Sequence, residues 1–209
     1  MRPFCARQLR FAFTVLAAAT VGGLGGCSWF GGGTSEMRVD SRATNDVLEP
    51  RFATSIYRFE DPNTCDVYLS DLPLEVLLEA ADGRGPGAQG GPGAGNLVRV
   101  HMFLTPRAGY TPIDYTASNA AITHIVIASD DTYGVYTGGG FFLPSGTPGD
   151  ASLSMKTYGT NMRLAGAAGR FNDRLGACEV DAKLTAERND QAAERIGALV
   201  SEMARGTDH

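Results

Sequence analysis

The chain has 209 residues, 18 Lys and Arg against 23 Asp and Glu, and a formal charge of −5. Hydrophobic residues make up 43% and charged residues 20%, the balance of an ordinary folded domain and not of a multi-span membrane protein, a collagen, a coiled coil or a wholly disordered chain. Only two of the bases are lysines, Lys156 and Lys183, and they are far apart in sequence. A basic patch able to neutralise phosphates is not expected, so nucleic acid is set aside as a partner.

Arg2, Arg7 and Arg10 form a positive N-terminal segment with no acid before Glu36, and an apolar run follows from Phe11 to Leu24. A membrane-crossing helix needs about 20 apolar residues, so this run is too short to span and reads as the core of a secretory signal. It ends in Leu24-Gly25-Gly26-Cys27. Here the chain resembles the bacterial lipoproteins at their lipobox: Leu three residues before the cysteine, small residues between, then Cys. The resemblance covers the N-terminal segment alone. It implies a signal peptide over 1–26, cleavage before Cys27, diacylglycerol on the Cys27 thiol and acylation of the new amino group. An ordinary cleaved signal with an incidental Cys27 is the alternative.

Two or three acyl chains hold a protein stably to a bilayer. By analogy with lipoprotein sorting, Ser28 after the acylated cysteine favours the outer membrane, with the body facing the periplasm. Cleavage leaves 15 basic against 23 acidic residues, a net charge of −8. A body so acidic should not cling to anionic lipid, which leaves attachment to the acyl chains.

Residues 27–50 read as the lipidated cysteine and a mostly disordered tether of about 25–30 Å r.m.s.. Trp29 and Phe30 either dip into the interface or form an exposed linker pair. A folded domain is expected over 51–206, with a low-complexity insertion at 83–95 that has seven Gly and two Pro in thirteen residues. Its literal G-x-G-x-x-G, Gly85 to Gly90, runs on into Gly91-Pro92-Gly93, which cannot open the helix a dinucleotide site requires.

Period-two alternation marks strands near Thr54–Glu60, Cys65–Ser70, Val76–Ala81, Val98–Leu104, Thr123–Ile127, Thr132–Thr137, Phe141–Leu143, Leu153–Tyr158, Met162–Ala165 and Cys178–Leu184. The period then changes. Ala192, Ile196, Leu199, Val200 and Met203 share one stripe of a helix over 190–205, with Asn189 or Asp190 as its cap. The expected fold is mainly β: an antiparallel β-sandwich or open barrel with one C-terminal amphipathic α-helix. In an oxidising compartment Cys65 and Cys178, both on apolar strand faces, are expected to form a structural disulfide.

No metal, cofactor or catalytic motif is present, and none is assigned. The residues set aside as candidate ligands are His124, Asp130 and Asp131, with Tyr133 and Tyr136, which with Phe141 and Phe142 are read as a hairpin flanking a Gly138–Gly140 tip. His101 and His124, both on strands opposite the more apolar register, are read first as two independent surface or sheet histidines, with a metal or acid–base pair across neighbouring strands as the alternative. Three functions follow: a non-enzymatic envelope lipoprotein with a binding or structural role and an envelope protein as its partner; a lipid-anchored hydrolase or glycan-active enzyme using Asp130, Asp131 and His124; or a carbohydrate-binding sandwich, which requires exposed rings among the Tyr133–Phe142 aromatics.

Overall fold

The alternation read from the sequence forms ten strands in a computed structural model that describes residues 34–85, 91–106 and 117–207. The signal segment, Cys27, Trp29, Phe30 and most of the G-x-G-x-x-G match lie outside the described residues. In chain order the elements are β1 (Glu36–Ser41), β2 (Val47–Leu48), β3 (Thr54–Phe59), β4 (Cys65–Ser70), α1 (Leu74–Ala81), β5 (Gly95–Met102) and β6 (Ala120–Ser129). They continue with β7 (Thr132–Gly140), β8 (Leu143–Ser145), β9 (Ser152–Ala168), β10 (Cys178–Arg188) and α2 (Asp190–Arg205). Among the described residues no helix is long and apolar enough to cross a membrane.

The sheet closes on itself. Antiparallel pairing runs β3-β4-β5-β6-β7-β9, β10 joins the far side of β9, and a short parallel contact (Glu187 to Ile56, Arg188 to Tyr57) brings β10 back to β3. β1 and β2 extend from the free edge of the first half of β10, and β8 lies on β9. The mainly β architecture with a C-terminal helix is therefore as expected, in its barrel form.

Period-two side chains fill the ring. Val67, Leu69, Val98, Val100, Ile122, Met155, Val180 and Leu184 all point into one core. The opposite faces of β3 to β7 carry Ile56, Tyr68, Leu97, Ile125 and Val135, which pack under α1 and α2 as a second cluster. The stripe on α2 is thus covered within the chain. Asn189 caps it by accepting from the Ala192 N–H at 3.1 Å. Gly197 permits the close seat, since a Cβ there would lie 2.5 Å from the Tyr68 hydroxyl.

Four expectations change. Val76–Ala81 is not a strand but part of α1: Leu74, Leu77, Leu78 and Ala81 follow helical spacing, and Leu77 is fully buried. The stretch read as tether contains β1, because Met37 and Val39 alternate with exposed residues and enter the core against β10. Leu153–Tyr158 and Met162–Ala165 are one long strand, β9, with a bulge where Tyr158 and Gly159 oppose Asp181 alone. Gly138–Gly140 is not a hairpin tip but the end of β7, where β9 crosses closely.

The expected disulfide is absent; Cys65 and Cys178 are buried free thiols. Register explains it. From Cys178 the ladder runs through Met162, Gly138, Ile122 and Val100 before reaching Val67, next to Cys65 on its strand face. The two cysteines thus occupy different walls of the ring, whereas a bridge needs Cα atoms within about 7 Å. Burial pushes the Cys65 thiol up to about 12 and the Cys178 thiol up to about 11, so neither is poised as a nucleophile.

At Gly138 an added Cβ would meet the Asn161 carbonyl oxygen at 1.8 Å, backbone against backbone. Gly138→Ala should therefore cost about 2–4 kcal/mol in urea unfolding. An unchanged midpoint would mean that β7 and β9 do not cross as described.

Candidate functional site

Two buried polar groups stand out, one on each face of the wall. The first is Asp66 on β4, whose side chain is fully buried on the outer, helix-bearing face. Strand register brings Arg58 of β3 to one side and His101 of β5 to the other. Asp66 accepts from Arg99 Nε at 2.8 Å and Arg58 Nη2 at 3.3 Å, and His101 Nδ1 lies 2.9 Å from Oδ1. Arg58 also pairs with Glu60. Burial opposes the charge of Arg58, but Glu60 and Asp66 outweigh it and hold the guanidinium above its ordinary value.

A carboxylate beside Nδ1 fixes that nitrogen as the donor and turns Nε2 of His101 outward as an acceptor. His101 keeps a third of its side chain exposed, beside the exposed ring of Phe103. Chemically this is the oriented-base half of a nucleophile–base–acid constellation. Among the described residues no hydroxyl or thiol is hydrogen-bonded to His101. Asp66, Arg58 and Arg99 were not singled out from the sequence. The available signal was the single carboxylate opposite the apolar register of β4, with arginines on both predicted neighbours.

The second group is His124 on β6, fully buried on the inner face. Its Nε2 lies 3.0 Å from Asn96 Oδ1, while Asn96 donates from Nδ2 to Asp71 at 2.7 Å and from its backbone N–H at 2.6 Å. Nε2 must therefore be the donor, which leaves Nδ1 without a partner inside the wall. Burial, opposed only by the charge of Asp71, pulls the imidazole down to about 4.

The remaining candidates do not converge. His124 and His101 sit on opposite faces of the sheet, because His124 pairs with inward-facing Val98 whereas His101 shares the Asp66 face. Asp130 lies six residues beyond His124, about 20 Å along the strand. It accepts from the Gly93 N–H at 2.8 Å. Asp131 accepts from the Ser129 and Thr132 hydroxyls, which hold it below the usual carboxylate range. Asp131 thus holds the β6–β7 turn, and Asp130 ties that turn to the segment leading into β5. Tyr133, Tyr136, Phe141 and Phe142 are all buried, as parts of the two cores and their margins, so none of them offers the exposed ring a sugar-stacking face requires. No cluster of three or more His, Cys, Asp or Glu suited to a metal occurs among the described residues.

The chain matches no protein-family model, no curated protein and no solved structure. Its own residues carry the functional reading.

Unfolded His124 takes up a proton near its ordinary value of 6.5, and the folded residue does so only near 4. Between those values the unfolded chain binds the extra proton, so stability is present above pH 6.5 and is lost as pH falls toward 4. The loss amounts to about 3 kcal/mol. His124→Gln, which keeps a donor for Asn96 without titrating, should flatten this part of the stability–pH curve; an unaltered slope would place the titration elsewhere. Asp66→Ala, which strands the Arg99 guanidinium and leaves Arg58 with Glu60 alone, should cost about 3–5 kcal/mol in the same unfolding measurement. A loss under about 1 kcal/mol would show that the arginines find water instead.

Proposed function

We propose that the protein is a lipid-anchored envelope lipoprotein with a non-enzymatic binding or structural role, held in the outer membrane and facing the periplasm. The observation that carries this reading is Leu24-Gly25-Gly26-Cys27 at the end of a positive-then-apolar segment too short to span. Its place in the chain fits as well. β1 begins at Glu36, nine residues after Cys27, so at most about 30 Å of chain separates them. The barrel then stands close to the lipid surface, where an envelope protein partner can reach it.

The alternatives have less support. A hydrolase built on Asp130, Asp131 and His124 would need those groups within hydrogen-bond reach, and two of them hold a turn while the third faces the core. A sugar-stacking face would need exposed rings, and the four aromatics named for it are buried.

Metabolic labelling with a palmitate analogue, followed by membrane fractionation, tests the anchor. The native chain should carry the label and fractionate with the outer membrane, and Cys27→Ser should lose both properties. An unlabelled native chain, or a variant that still co-fractionates and migrates identically, would overturn the reading.

A further inference from the structure

A buried carboxylate among guanidinium groups gives little net stability over apolar packing of the same volume, so the Asp66 network calls for another reason. Asp66 itself is fully buried, but the three side chains it fixes, His101, Arg99 and Arg58, all reach solvent. Two residues past His101, Phe103 leaves β5 with its N–H on the Asn119 carbonyl and its side chain 47% exposed. The rings of His101 and Phe103 stand 6.4 Å apart at 42°, two walls of an open notch. Across the sheet His101 is opposite Ala121, which is exposed, so no long side chain from that position of β6 fills the notch.

The notch offers an apolar ring beside one acceptor and several donors. Nε2 of His101 is the acceptor, because Nδ1 is held by Asp66. Arg99 spends Nε and Nη2 on Asp66, and Arg58 spends Nη2 on Asp66 and Glu60, so Nη1 of each is left to donate among the described residues. The buried carboxylate already holds these side chains in place, so a ligand meets them with little further loss of rotamer freedom. Charge narrows the class. The two guanidinium groups are balanced by Asp66 and Glu60, which leaves no excess positive charge to attract an anion. An uncharged ligand with an apolar face and a rim of hydroxyl groups fits each of these features. A pyranose is such a ligand: its C–H face stacks on an aromatic ring, and its hydroxyls donate to an imidazole nitrogen and accept from guanidinium N–H groups.

We propose that the notch between His101 and Phe103 binds a neutral saccharide, with Phe103 stacking on the sugar ring and His101, Arg99 and Arg58 holding its hydroxyl groups. This names a ligand for the binding role proposed above and rests on that role, but not on acylation of Cys27. Tyr158, the other large exposed aromatic among the described residues, has the Lys156 ammonium 6.0 Å from its ring centre and no such network beneath it.

The full chain, kept in a polyoxyethylene detergent that carries no sugar, is titrated with the tetrasaccharides of glucose and of N-acetylglucosamine, with tetragalacturonate as the anionic counterpart. Binding is read by saturation-transfer NMR. At least one neutral tetrasaccharide should bind, and tetragalacturonate should bind no better. Phe103→Ala and His101→Ala should each weaken binding about tenfold, whereas Phe103→Tyr should keep it and Tyr158→Ala should leave it unchanged. Both Phe103 variants change a side chain at the surface, so they keep the test independent of any effect of His101→Ala on the Asp66 network. No saturation transfer to either neutral sugar would overturn the proposal. Binding that survives Phe103→Ala, or a preference for the galacturonate, would overturn it as well. None of these outcomes bears on palmitate labelling, which decides the anchor separately.

Discussion

Closure of the ring at β10 is the constraint on which the rest of the structure depends. β10 is bound by β9 along one edge and by β1, then β3, along the other. The contact with β3 is only two residue pairs long, but α2 continues it. The Asn189 N–H donates to the Tyr57 carbonyl, the Phe59 N–H donates to Asp190, and Arg188 stacks over Phe59. The start of the helix therefore fastens the seam, and its stripe covers the outer cluster. One core is sealed inside the ring and a second outside it, each filled by alternate residues of the same strands.

That construction leaves little room for acid–base groups in the wall, and the buried carboxylate and imidazole, Asp66 and His124, are held differently. Asp66 is surrounded by partners able to carry the opposite charge. His124 has one hydrogen-bond partner and stays neutral because charging it would orphan a second N–H. The first group orders an exposed imidazole on the surface. The second makes the core sensitive to acid.

Much of the fold was legible in the sequence because side-chain period is a direct consequence of backbone geometry. The alternations beginning at Cys65, Val98, Thr123 and Cys178 became β4, β5, β6 and β10, and the stripe through Ile196 and Met203 became α2 with the expected limits. Elements marked by short apolar runs were less secure: at Val76–Ala81 the residues suit a helix and a strand alike. Met37 and Val39 were too sparse to betray β1 without the edge of β10 to receive them. The candidate site was less legible still. Asp66, Arg58 and Arg99 meet only through cross-strand register, and the burial of Tyr133 follows from α2 packing over it and that of Tyr136 from the ring core and the Phe171–Asp173 segment.

Residue-resolved amide hydrogen exchange of the folded chain tests closure most directly. In a closed ring the amides at the end of β10 that face β3, Glu187 by strand pairing and Asn189 by its bond to the Tyr57 carbonyl, exchange only with global unfolding, as slowly as those of β4 and β5, whereas β2 exchanges faster. If those amides instead exchange like an exposed strand edge, the seam is open and the barrel is wrong.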